Sequence, residues 1–377
     1  MSTTRRAIYL PAAGNFEIIT QSAAYVPTGS QILVRVSYSA VNPGDKRHLY
    51  MGLHSYVAGY EWIGTVEATG PESPYGVGEA VFGLAKFGHR RPIEIGAHQD
   101  LVLAETGTGS YTYRVPKGSE NQEQDLKSLV ASPSALQTAA DALFNCLGFA
   151  FPPTSNLPDQ AKIDGADPKG RAILIWGGSS AVGLAAIYVA KQAGFGSIYT
   201  TASLKNHATL LALGATQCFD YRSPTVVDDI RSAVACSPNR KLSIVFDAVT
   251  TGTGFGEPAT QDKLDLSKSS PALANRCLTD GPDAKDTYLC ASLPLPSDPR
   301  WSFCLAIRNP KESPQIAEYN RKIEAFMAWA LADFSAKGGY RLPKITVVKG
   351  AEEGIQAIND VFEGKYSMEK LVIQHPL

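Results

Sequence analysis

At 377 residues the chain is too long for one ordinary hydrophobic core, so two domains are expected. Hydrophobic residues make up 44% and charged residues 19%, the balance of a soluble globular protein, and the formal net charge of −1 gives no electrostatic reason to bind nucleic acid or an acidic membrane. No run of 18 apolar residues could span a bilayer, and the six scattered cysteines (146, 218, 236, 277, 290 and 304) suit reduced thiols in a cytoplasmic protein.

The opening MSTTRRAIYL lacks the apolar core of a secretion signal and reads as a first strand, 5–10. Further β-type runs, broken by Gly and Pro, follow at 32–38, 63–67, 80–82 and 100–104. From about 135 to 310 strand and helix alternate. A strand–helix–strand unit at 172–203 leads to a helix at 206–213, a strand at 218–220 and a helix at 226–234, then strands at 244–247 and 288–292. The tail reads as a helix at about 315–337, a strand at 345–348, a helix at 351–362 and a last strand at 371–373. Segments 151–170 and 252–277 are rich in Gly, Pro, Ser and Asp and read as surface-loop insertions. The fold class is therefore α/β, in three parts: a β-rich part at 1–134, a part of alternating strand and helix at 135–310, and a tail at 311–377.

The stretch AILIWGGSSAVGLAAIYVAKQAGFGSIYTTAS carries the strongest local signal. Gly177 and Gly178 permit the sharp turn and close backbone approach that a pyrophosphate needs, and Gly183 lets the following helix pack close to the strand. Ser179, Ser180, Ala181 and Val182 complete the turn, where free N–H groups point at phosphate. Val182, Ala185, Ala186, Val189, Ala190 and Ala193 form one stripe predicted to face the sheet. GGSSAVG departs from the usual GxGxxG, but the order of strand, turn, helix and strand favours a nucleotide site over an ordinary turn. An NAD-selective site places a carboxylate about 20 residues on, to bind the ribose 2′-hydroxyl. Here Ser203 stands in its place, with Lys205, Asn206, Tyr221 and Arg222 nearby, and no acidic residue occurs between Gly177 and Cys218. This set favours NADPH; the competing reading makes Lys205 a solvated loop residue.

Five further motifs carry a family resemblance. VNPGDKR (41–47), AGYEWIGTVEATG (58–70), GEAVFGL (78–84), SALQTAADALF (134–144) and EGKYSMEKLV (363–372) resemble those of the medium-chain dehydrogenase/reductase superfamily. FDYRSP (219–224) and SMEKLV (367–372) look like its fungal trans-acting enoyl reductases, which partner polyketide synthases. The resemblance implies a GroES-like β-rich domain at 1–134, a Rossmann domain with a doubly wound parallel sheet binding NADPH at 135–310, and a return at 311–377 to the first domain. It also implies cofactor contacts from Asp45, Thr138, Ala248, Val249, Leu293, Ser367 and Met368. The Thr138 hydroxyl either borders the nicotinamide or caps its helix. The nicotinamide pocket is expected between the NPGD loop, the start of helix 134–144, Ala248 with Val249, and LCASLPLP (289–296). WSFCLAI (301–307) reads as an acyl-pocket wall, a dimer edge or a buried strand.

The resemblance also bears on metal. Where zinc-dependent relatives have a Cys and the His of GHE, this chain has the NPGD loop and Tyr60, and no cysteine precedes Cys146. The remaining candidates, His48, His54, Glu61, His89 and His98, make no zinc-like spacing, and each histidine is expected on the surface or in a loop. The resemblance thus implies zinc-independent reduction of an α,β-unsaturated carbonyl, in which negative charge builds on the carbonyl oxygen and needs a nearby donor. The family's lysine of NPxDxK falls at Arg47, with Lys46 one place earlier. Either residue polarises the substrate or contacts cofactor, or Lys46 faces solvent. Tyr60 is a second candidate donor, or packs in the β core. Three readings stay open: an NADPH-dependent enoyl reductase acting on a polyketide-type substrate, free or held by a carrier protein; a stand-alone quinone or enone reductase; and a non-reducing cyclase or binding protein. A polyketide synthase is the partner the first reading implies, and monomer and homodimer are both open.

Overall fold

The structure, a computed structural model, describes residues 5–88, 91–107, 109–151, 162–259, 264–309, 313–336 and 339–377. The chain forms two units, Met1–Ser134 with Phe334–Leu377, and Ala135–Asp333.

In the first unit, β1 (Arg5–Leu10) pairs antiparallel with β2 (Glu17–Gln21). β3 (Ile32–Ala40) anchors the larger sheet and leads through the short α1 (Gly44–Arg47) to β4 (Tyr56–Val57), which joins the other edge of β1. β5 (Glu61–Thr69), β6 (Ala80–Leu84), β7 (Leu101–Ala104) and β8 (Thr112–Arg114) extend the larger sheet, and α2 (Glu123–Ala131) packs on β3 and β5. Alternation along β3 turns Ile32, Val34 and Val36 toward Trp62, Val66, Val81 and Val102. A register irregularity between Val36 and Tyr38 then interrupts the alternation, so Tyr38, Ser39 and Ala40 are all buried.

The second unit starts within α3 (Pro133–Ala140), which runs into a π-helical turn, Asp141–Cys146. β9 (Ala172–Trp176), α4 (Ala181–Ala193), β10 (Ser197–Thr201), α5 (His207–Leu213), β11 (Gln217–Phe219), α6 (Val226–Ala235), β12 (Ile244–Asp247), α7 (Ser270–Cys277), β13 (Tyr288–Ala291), β14 (Ser302–Phe303) and α8 (Pro314–Ser335) follow. The six strands are all parallel in the order β11-β10-β9-β12-β13-β14, the doubly wound order whose direction reverses between β9 and β12. Every residue of β9 is buried, as an apolar run covered on both faces requires. The chain then returns through β15 (Ile345–Lys349), α9 (Gly350–Phe362) and β16 (Lys370–Gln374), which pairs with β3.

Four expectations are corrected. The return to the first unit comes at Phe334 rather than 311, because Phe326 and Trp329 of α8 stack on Phe144 and Phe151 of the second unit. The same helix covers Tyr188, so α4 is buried well beyond the single stripe predicted, while Val182 is only half-buried. Segment 252–277 is not loop throughout: Ser269 caps α7, Pro271 sits in its first turn, and Ala274 and Cys277 join the core. Ser and Pro, read as loop residues, are here a helix start. Within 301–307 only Ser302–Phe303 is strand, at the sheet edge, and Trp301 is buried. Residues 152–161 and 260–263 of the expected insertions lie outside the described residues. No helix among the described residues is long and apolar enough to cross a membrane.

Candidate functional site

The NPGDKR loop follows β3 in the first unit. Asp45 is fully buried; its Oδ2 accepts the Asn42 N–H at 2.7 Å and closes the turn. Burial alone would raise the Asp45 carboxyl, but the hydrogen bond and charge of His98, the Asn42 amide and His48 outweigh it and hold it below the ordinary value. Asp45, expected at the cofactor, is thus engaged inside the loop. Lys46 is drawn to α9, where Nζ donates to Asn359 Oδ1 at 2.6 Å and lies 5.6 Å from the centre of the Phe362 ring. That tie gives the Lys46 ammonium a partner on α9 within the first unit. Arg47, half-buried at the end of α1, carries the loop's other positive charge.

Tyr60 precedes β5, and its hydroxyl is 2.7 Å from His48 Nδ1. Burial pushes the His48 imidazole down to about 4, with Arg91 and Arg47 adding to the effect against Asp45, so the ring is neutral at pH 7. Burial also raises the Tyr60 phenol, partly offset by Arg91, so the hydroxyl keeps its proton. The buried Arg91 guanidinium lies 4.4 Å from the Tyr60 ring centre and 5.1 Å from that of Tyr56, and it donates to Gly59 O. Arg91 also borders a cavity of about 360 Å³ walled by Trp62, Leu84, Phe87, Ile95 and Leu103. Arg91 escaped the sequence reading and His48 entered it only as a zinc candidate, because the place of both rests on contacts with Tyr60.

Glu61 is fully buried, yet its carboxylate is fully engaged. Oε2 accepts Lys370 Nζ and Asn42 Nδ2, each at 2.8 Å, and Oε1 accepts the Ser134 N–H at 2.9 Å; Lys370 also donates to Asn42 Oδ1 at 2.6 Å. This network binds the NPGD loop to β5 and β16. Truncating Glu61 to Ala strands the buried Lys370 ammonium and is expected to destabilise the first unit by about 3–5 kcal/mol. The Glu61→Leu/Lys370→Met pair, which removes both charges, should recover most of that loss in a denaturant titration. An unchanged midpoint for Glu61→Ala would show that the network holds nothing.

The other zinc candidates are also placed. His54 Nδ1 lies 2.9 Å from Ser55 Oγ, and His98 lies in the loop before β7, fully buried rather than on the surface. His89 lies outside the described residues. Among the described residues no three His, Cys, Asp or Glu side chains are grouped to hold a metal ion. Ser367 is exposed, and Met368 beside it adopts a left-handed φ of 61° shortly before Lys370.

In the second unit the glycine turn leaves the carboxyl end of β9. Gly177 has φ 83°, donates its N–H to Thr201 Oγ1, and would place a Cβ 2.5 Å from Val249. A Cβ on Gly183 would lie 2.2 Å from Gly177 O, so the turn admits no side chain there. Gly178 N–H donates to Thr201 O, and Ser180 caps α4 by accepting the Gly183 N–H. The Ser179–Val182 turn therefore leads straight into the amino end of a thirteen-residue helix, which fits a pyrophosphate.

The remaining nucleotide candidates follow the carboxyl ends of neighbouring strands: Ser203, Lys205 and Asn206 after β10, Tyr221 after β11, Ala248 and Val249 after β12, and Leu293 after β13. Lys205 is exposed and has no ion pair among the described residues, whereas Asn206 is buried. Tyr221 is exposed beneath the Arg222 guanidinium. Asp247 fixes the 248–250 turn by accepting the Val249 and Thr250 N–H groups and the Ser270 hydroxyl, and burial lifts its carboxyl to about 6. Thr138 is buried in mid-helix, so its hydroxyl is not a helix cap. Asp141, which sequence reasoning passed over, takes a two-pronged hydrogen bond from Arg308 and accepts the Leu305 N–H, pinning 305–308 to the π turn.

Comparison with known proteins agrees with this architecture. Residues 28–117 match the alcohol dehydrogenase GroES-like domain. The chain is 29% identical over 256 residues to "Trans-enoyl reductase gkaC" of Penicillium citrinum, a match covering 66% of each chain, just under two thirds of the relative's length. It is 31% identical over 263 residues to "Dehydrogenase orsE" of Emericella nidulans, covering 66% of this chain and 71% of that one. An alcohol dehydrogenase superfamily protein from Novosphingobium aromaticivorans shares the fold, with a TM-score of 0.69 at 18% identity over 99% of this chain and 100% of that one. A GroES-like unit, a doubly wound sheet with a glycine turn at its switch point, and these relatives place the chain in the medium-chain dehydrogenase/reductase superfamily of oxidoreductases.

Proposed function

We propose that the protein is an NADPH-dependent, zinc-independent enoyl reductase acting on an α,β-unsaturated carbonyl of polyketide type. The observation that carries this reading is the glycine turn, closed to side chains at 177 and 183, in a chain with relatives named trans-enoyl reductases. A bound nicotinamide supplies hydride to the β-carbon. The amino end of α4 holds the pyrophosphate, and Ser203 with Lys205 takes the 2′-phosphate. Arg47 carries the positive charge that meets the carbonyl oxygen as it becomes an enolate. The Tyr60 hydroxyl keeps its proton and donates a hydrogen bond to the same oxygen while accepting one from neutral His48, which holds the hydroxyl in direction, and the enolate takes a proton from solvent at its α-carbon. The cavity beside Arg91 and Phe87, lined by Lys86, Glu94 and Glu105 as well as by Trp62, Leu84 and Leu103, gives an acyl chain an apolar wall. Zinc has no place in the scheme, since Tyr60 stands at the family's histidine and Glu61 is bound by Lys370.

The test is NADPH oxidation with a panel of enones, quinones and carrier-bound enoyl thioesters, before and after chelation. Reduction of the thioesters, insensitive to chelator, is expected. Turnover of quinones alone moves the protein to the stand-alone reductases. No turnover of any acceptor, with NADPH still bound, makes it a binding protein or cyclase.

A further inference from the structure

Five side chains of the first unit form an unbroken line through its interior. Asp45 Oδ2 lies 3.4 Å from His98 Nε2, and His98 Nδ1 lies 2.9 Å from Ser39 Oγ. Ser39 Oγ lies 2.9 Å from His375 Nε2, and His375 Nδ1 lies 3.3 Å from Asp100 Oδ1. Every member is buried, and only the Asp100 side chain, 10% exposed, approaches solvent. The line joins the NPGDKR loop to β3, to the segment before β7, and to the residue after β16.

Its hydrogens can be counted. Four contacts need four. Ionised Asp45 and Asp100 supply none, the Ser39 hydroxyl supplies one, and two neutral imidazoles supply one each. Three protons leave one contact open, either at one carboxylate end or, where both imidazoles donate outward, at one of the two Ser39 contacts. Turning the Ser39 hydroxyl and exchanging ring tautomers moves that gap along the line. A fourth proton closes both ends at once. The amides of Asn42, Arg6 and Leu377 also donate to the terminal carboxylates, but they add no proton to the line. Burial lowers the His375 imidazole while Asp100 pulls it back up, so charge on that ring is opposed by its surroundings and favoured by its partner.

We propose that Asp45, His98, Ser39, His375 and Asp100 form a proton relay. It takes up one shared proton at Asp100 and thereby positions Asp45 and the turn that carries Arg47. These are positioning residues. The charged and titratable groups around them are occupied elsewhere or lie beyond the ends. At the Asp100 end the Arg6 guanidinium pairs with Glu352 at 2.6 Å. At the Asp45 end stand Arg47, His48, Arg91, Tyr56 and Tyr60, with the Lys370–Glu61 pair beyond Asn42. The effect on catalysis rests on the reduction proposed above; the proton count does not.

The test is a pH titration of the imidazole ¹⁵N resonances of the full-length protein. A single transition with a common midpoint at His98 and His375 is expected, since one proton serves both rings. Ser39→Ala cuts the line into two halves, each with one contact and one hydrogen, so the common transition should vanish. Ser39→Thr keeps the hydroxyl and should retain it. Separate midpoints in the parent protein, or no change of protonation at either ring between pH 5 and 9 (a range chosen around the ordinary histidine value of roughly 6.5), overturn the relay. The parent titration decides the matter even if Ser39→Ala does not fold. Because no cofactor or substrate is present, a failed relay leaves the enone assays untouched, and failed assays leave the relay standing.

Discussion

Arg47→Met is expected to lower kcat for enone reduction by about 10²–10³-fold, the usual cost of removing one donor to a developing oxyanion. Charge grows on the carbonyl oxygen only as hydride arrives, so the loss should appear in kcat more than in KM. Arg47→Lys restores an ammonium at the position where the family has lysine, and should recover much of the rate even though its geometry differs. Lys46→Met is the control. Its Nζ is held by Asn359, so that variant should keep kcat near the parent value. Turnover of Arg47→Met within threefold of the parent, or a collapse confined to Lys46→Met, would reverse the assignment of the loop's two cations.

Lys205→Glu is expected to raise KM for NADPH roughly 30-fold, the equivalent of losing one charge-assisted hydrogen bond of about 2 kcal/mol. KM for NADH should barely move, because that cofactor has no 2′-phosphate for the lysine to meet. Lys205 follows the carboxyl end of β10 and has no ion pair among the described residues. The effect should shrink as salt rises, since the lysine is exposed. Parallel changes for both cofactors would show that Lys205 supports the turn rather than the phosphate.

The two residues differ in how they could be found. Lys205 can be singled out from the sequence because the unit is local: strand, turn, helix and strand follow one another in 172–203, and the position usually held by an acid is reached by counting. The glycine turn, the parallel order of the second unit and the β-rich first unit were legible for the same reason, through periodicity and turn chemistry. Boundaries fared worse where a second partner decided burial. The aromatic face of α8 keeps the chain in the second unit past residue 311, and Ser269 with Pro271 starts a core helix in what composition marks as loop.

The polar interior was not legible at all. Asp141 meets Arg308 across 167 positions, Glu61 meets Lys370 across 309, and Ser39 meets His375 across 336. Side chains that far apart leave no spacing to count. The sequence by itself determined a glycine-rich strand–turn–helix unit and a family, because each is written in contiguous residues whose backbone geometry follows from their own chemistry. Only the tertiary structure decided that Lys46 answers to α9, that neutral His48 orients Tyr60, and that two buried histidines share a line with Ser39. Those outcomes depend on which distant groups burial forces to satisfy one another.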